Sequence, residues 1–167
     1  FEGLAITNGM QLKYHIEPDI HFYGNQKYLS ELLSIFLENA LKYEADISHC
    51  GVCFCFPDGH EKMHYGTEKI KIQNNFEGVK DLLEGKFVEP GLWNKLYKSS
   101  LLKNSCLDAT ILNNEDLLRN FVLFNRSKKS VYEDFCGYRY YQREGSMSKD
   151  KTKLLRTMQH INKARRT

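Results

Sequence analysis

The sequence predicts an α/β fold in which helices cover a sheet, and three stretches carry that expectation. Residues 26–43, QKYLSELLSIFLENALKY, set Leu29, Leu32, Leu33, Phe36, Leu37, Ala40 and Leu41 at three- and four-residue spacing. That is the stripe of an amphipathic helix. Residues 46–56, DISHCGVCFCF, form a β-type run whose end is apolar on both faces, as in a strand covered on both sides. Residues 113–141 open as a helix and finish as a strand, SVYEDFCGYRYY.

The elements follow in order. Residues 10–22, MQLKYHIEPDIHF, alternate like a strand that turns at Pro18. The helix over 26–43 comes next, then the strand over 46–56, closed by the turn signal Pro57-Asp58-Gly59. Residues 60–74 are polar and read as a loop. Residues 75–85 read as a short helix ended by Gly85. Residues 87–104 hold the phrase WNKLYK and a further helical turn. Asn114 is placed to cap a helix whose first acids, Glu115 and Asp116, suit the positive helix start. Leu117, Leu118, Phe121, Val122 and Phe124 give it an apolar face. Residues 142–148 are loop-like, and 149–166 read as a helix bearing Leu154, Leu155, Met158 and Ile161.

Composition narrows the class. The 167 residues suit one domain, and an aromatic content of 13% argues against a disordered chain. A net charge of +3 is too small to imply nucleic acid. Residues 149–167 concentrate seven Lys/Arg against one acid, so the tail is basic and the body mildly acidic. Such a tail could touch an anionic membrane surface weakly, although its apolar face is small and a solvated helix explains it as well. No apolar run approaches the roughly 18–20 residues of a membrane span, and the start shows no signal-peptide pattern. Five cysteines, three of them at 50, 53 and 55, argue against a disulfide framework and for a reducing cytoplasm.

Several residues invite a chemical reading. Glu115 and Asp116 could complement the helix dipole, or one could act as a base. Trp93 could stack on a sugar, or pack the chain onto the sheet. Lys95 could pair with phosphate as a point charge. His49, Cys50, Cys53 and Cys55 invite zinc, but strand alternation splits Cys50 from the other two and the spacing is not that of a loop site. Buried free cysteines are the better reading.

Four pieces stand in one order: ADISHCGVCFCFPDG (45–59), FVEPGLWNKLYKSSLL (87–102), NNEDLLRNFVLF (113–124) and SVYEDFCGYRYYQREGSMS (130–148). Together they resemble the carboxy-terminal half of family 2 glycosyltransferases that build bacterial cell-surface polysaccharides, over residues 46–148. The resemblance implies a partial GT-A-like mixed sheet with covering helices. It makes Asp116, in Asn114-Glu115-Asp116, the general base and Glu115 its neighbour. It places Trp93, Asn94, Lys95 and Arg143 at the substrates, a nucleotide sugar and a glycan acceptor. It also implies a divalent metal, Mg or Mn, in the intact enzyme. The Asp-x-Asp motif that would hold this metal is absent from the sequence, so the chain itself is expected to be inactive, with no cofactor of its own.

Residues 9–43 resemble something different. Their strand, Gly24-Asn25 and ENALKY phrase (38–43) look like the ATP-binding domain of sensor histidine kinases. That resemblance would make Asn39 a Mg²⁺ ligand and Glu38 the acid/base beside it. Gly-rich nucleotide motifs do not follow, and a packing helix that carries an asparagine is the better reading. The sequence thus divides into a kinase-like strand and helix (1–43), a glycosyltransferase acceptor half (44–148) and a basic tail (149–167), with a junction inside 38–46. A kinase fragment and a non-catalytic interaction module are the rival readings.

Overall fold

The computed structural model describes residues 25–64, 66–103 and 114–142. The strand expected over 10–22, the loop 143–148 and the basic helix lie outside the described residues. The elements are α1 (Gln26–Lys42), β1 (Ile47–Cys55), β2 (Glu61–Met63), β3 (Ile70–Gln73), α2 (Asn75–Glu84), β4 (Lys95–Tyr97), α3 (Ser99–Leu102), α4 (Glu115–Arg126) and β5 (Ser130–Tyr141). The protein is a mixed α/β structure.

Local signals explain the helix ends. The Asn25 side chain accepts from the amides of Lys27 and Tyr28 at the start of α1. Asn74 and Glu77 form a reciprocal capping box on α2, and Gly85 ends that helix at a φ of 65°, which a side chain would resist.

The sheet runs β2-β1-β5-β3. β1 and β5 are parallel, and the other pairings are antiparallel. One edge of β1 is paired along its whole length with β5, with register shifts on either side of Gly51. The other edge is shared. β4 takes Ile47 to His49, and β2 takes Cys53 to Cys55. This explains the near-continuous burial of β1, whose only partly open residue is Phe54. On one face lie α2 and α4, and there Ile47, Leu82, Val88, Leu101, Leu123 and Phe124 form the core. On the opposite face lies α1, where Leu32 and the Cys50 thiol meet over Gly137. The α1 amide Asn39 Nδ2 donates to Glu133 Oε2 of β5 at 2.5 Å, and Lys129 Nζ donates to the Tyr43 carbonyl.

Three expectations need correction. The loop expected over 60–74 contains β2 and β3. β2 is exposed throughout and β3 buries only Gln73 fully, so neither shows an apolar alternation. Asn114 stands at the start of α4 but in the left-handed region, φ 58°, and its side chain caps nothing. The apolar face of α4 is also rotated from the expected one. Asn120, Leu123 and Phe124 are buried, whereas Leu118 and Phe121 are more than a third exposed.

A buried polar cluster ties the layers together. Gln73 Oε1 receives Ser130 Oγ and His49 Nε2, and Gln73 Nε2 donates to Asp81 Oδ2, which also pairs with Lys71. Because the Gln73 oxygen is an acceptor, His49 carries its proton on Nε2. Its Nδ1 has no partner. Burial, helped by the Lys95 and Lys71 charges, pushes the His49 pKa down to about 3 and keeps the ring neutral.

Among the described residues no helix is long and apolar enough to cross a membrane.

Candidate active site at the start of α4

The phrase WNKLYK ends a loop that is bent back under α4. Val88 and Gly91 of that loop are buried, Phe87 sits at a φ of 59°, and β4 then pairs with β1. Asn120 of α4 clamps the loop. Its Nδ2 donates to the carbonyls of Pro90 (2.5 Å) and Gly91 (3.3 Å), and its Oδ1 accepts from Tyr97 OH at 2.7 Å. Asp116 lies one helical turn before Asn120 on the same face.

Lys95 is buried under this loop. Its Nζ donates to the carbonyls of Glu89 (2.8 Å) and Gly91 (2.6 Å) and to Asn94 Oδ1 (2.6 Å). These three bonds use the whole donor capacity of an ammonium. Burial pushes its pKa down to about 7, against the pull of the Glu89 and Asp116 carboxylates. Asn94 is fully buried and donates through Nδ2 to the Cys50 carbonyl at 2.6 Å. The polar ends of Asn94 and Lys95 are therefore turned into the fold, where they hold the loop against β1.

Asp116 is half-buried. Desolvation and the neighbouring Glu115 carboxylate raise its pKa, opposed by Arg119 and Lys95. The Asp116 charge also helps to raise the Tyr97 hydroxyl, behind the larger effect of burial. So the structure brings Asp116, Lys95 and Tyr97 within electrostatic range of one another. Glu115 is exposed at the helix start.

Trp93 is half-buried in an aromatic stack. Its ring centroid lies 4.2 Å from that of Tyr138 and 5.5 Å from that of Tyr140, with the rings tilted by 27° and 30°. Gly91 passes so close that a Cβ there would lie 2.3 Å from the indole nitrogen. Through Gly91 and Asn120 the stack is joined to the turn of α4 that follows Asp116.

Other expected site residues fall elsewhere. Arg143 lies outside the described residues. Asn39 sits in the seam between α1 and β5, with its amide on Glu133, and Glu38 is exposed. Sequence reasoning missed Asn120, Tyr138 and Tyr140. The two tyrosines alternate on one strand face, a signal that the sequence did contain. The buried amide on α4 had none, because an asparagine on an apolar face reads as a break in the stripe. No protein-family model matches the chain, and no curated protein matches it.

Proposed function

We propose that residues 44–148 are the acceptor side of a family 2 glycosyltransferase, a partial GT-A-type sheet whose intact parent moves a hexose from a nucleotide sugar to a cell-surface glycan. The observation that carries the reading is Asp116. It is a half-buried carboxyl of raised pKa at a helix start, one turn before the Asn120 that clamps the WNKLYK loop. An acceptor hydroxyl is a weak nucleophile, and its proton must leave as the oxygen attacks the anomeric carbon. Asp116 takes that proton while the bond from the anomeric carbon to the diphosphate breaks and the nucleoside diphosphate departs. A carboxylate with a raised pKa is the stronger base. Glu115 strengthens it by its charge. Trp93, with Tyr138 and Tyr140 behind it, offers an apolar face for a pyranose ring, and Asn94 and Lys95 fix the loop that carries it.

The divalent metal implied for the parent does not fit the groups described here. Mg²⁺ and Mn²⁺ prefer carboxylate and other oxygen ligands. Asp116 has the Lys95 charge in range. The one group of three close metal-ligating side chains among the described residues is Cys53, Cys55 and Glu61, with two sulfurs. No step is routed through a metal on this chain, and on this reading the isolated chain turns over no sugar nucleotide.

The test joins a family 2 donor half in front of Ala45 and measures transfer, with Asp116→Asn alongside. Loss of turnover in Asp116→Asn with unchanged donor binding is expected. Near-normal turnover in that variant would refute the assignment.

A further inference from the structure

The far end of β1 carries a different chemistry. Cys53 and Cys55 are two apart on the strand, and β2 returns beside them with Glu61 directly opposite Cys55. Both thiols point to the same carboxylate, Cys53 Sγ to Glu61 Oε2 and Cys55 Sγ to Glu61 Oε1, each at 3.7 Å. One ligand atom from each of the three residues falls within 4.8 Å of the others. Zn–S bonds of about 2.3 Å and Zn–O bonds of about 2.1 Å give a tetrahedron with S···O edges of about 3.6 Å and S···S edges of about 3.8 Å. The Cys53 Sγ to Glu61 Oε2 distance matches such an edge, and the other separations, within 4.8 Å, are close enough for small side-chain shifts to close the shell.

From this geometry we propose that Cys53, Cys55 and Glu61 bind a soft divalent transition ion of the zinc class. The site is independent of the glycosyltransferase reading. Two sulfurs select zinc or cobalt over magnesium or calcium. Cys136 of β5, close enough to act on the Cys53 thiol, is a further sulfur beside the site. Arg139 of β5 pairs with Glu61 Oε1, which leaves Oε2 for the ion and Arg139 as the outer partner that orients the carboxylate. Glu61 is exposed and gives the ion a way in, whereas both cysteines are buried. Binding releases the two thiol protons to solvent. Because the ion replaces protons on both sulfurs, binding weakens as pH falls. With the ion bound, β1, β2 and β5 would be held together at the end where β2 is only three residues long.

Cobalt(II) added to the reduced full chain is the test. The expected result is one ion per chain, a thiolate-to-cobalt charge-transfer band, and its displacement by zinc. Cys55→Ser should abolish the band. Glu61→Gln, in an exposed strand where folding is safe, should weaken binding more than tenfold. Cys50→Ala, on the opposite face of β1, should leave the band in place. No thiolate band in a chain that circular dichroism shows to be folded would overturn the site, as would equal affinity in Glu61→Gln or a band that needs Cys50.

Discussion

Two polar clusters lie beside β1, and they end differently. In the first, His49, Gln73, Asp81 and Ser130 satisfy one another inside the core, the half-exposed Lys71 closes the cluster on Asp81, and His49 Nδ1 is left over. In the second, Lys95, Asn94, Tyr97 and Asn120 are equally well paired, but the cluster runs out to Asp116, a half-buried acid of raised pKa. The first is a closed connection between layers. The second uses the same kind of bonding but ends beside a half-buried acid at the surface. A buried polar network is thus neutral evidence about function until its boundary is inspected.

Four measurements can break or sharpen that contrast. The largest effect belongs to Asp116. In an enzyme with its donor half restored, Asp116→Asn should lower kcat by about 10²–10⁴ with little change in melting temperature. A fall in melting temperature without a kinetic effect would return Asp116 to a purely structural part.

Next comes Lys95→Met, which leaves the Glu89 carbonyl and Asn94 Oδ1 without this donor and the Gly91 carbonyl with only the long bond from Asn120. We expect a loss of about 3 kcal/mol in urea unfolding. An unchanged midpoint would mean that the loop is not held by Lys95.

The closed cluster should show itself in acid. The folded state holds His49 neutral down to about pH 3, whereas the unfolded chain protonates it near 6.5. Between those values the unfolded state binds more protons, so stability falls as pH falls, by up to about 1.4 kcal/mol per pH unit from this residue. Unfolding midpoints for the wild type and His49→Gln between pH 7 and 4 should diverge accordingly. Parallel curves would show that His49 is not the group responsible.

The smallest effect is expected for Tyr97→Phe, which removes one hydroxyl from Asn120. About 1 kcal/mol of stability should go, and kcat of the restored enzyme should change less than with Asp116→Asn. A larger kinetic effect would mean that the Asn120 clamp positions the base.

Much of the fold was legible because its strongest elements have a clear period. The helix α1, the doubly covered run of β1, the Gly85 stop of α2 and the strand β5 all appear as the sequence predicts, although of the α1 stripe only Phe36 is fully buried and Leu29 is exposed. β2 and β3 were not legible, since exposed Glu61, Lys62 and Met63 owe their extended form to pairing with β1 rather than to their own pattern. The site was legible only at its chemical ends. The acids of α4 and the tryptophan stand out in the sequence, but the burial of Lys95 does not. A lysine is seldom buried, and only the convergence of three oxygens from a bent loop explains this one. The cap expected of Asn114 failed for a local reason, because a left-handed backbone turns its side chain away from the helix amides.

The parallel pairing of β1 with β5 also has a consequence in time. β2 follows β1 almost at once and can close a hairpin as soon as it emerges during synthesis. The opposite edge of β1 must wait for Ser130 and the residues beyond it. At about 5–20 residues per second that wait lasts roughly 4–15 s, far longer than the microseconds in which a hairpin forms. Through that interval a buried strand with three cysteines and one phenylalanine has an unpaired edge, so the nascent chain should be at its most aggregation-prone after Cys55 and before β5, and a chaperone bound to that intermediate should act there.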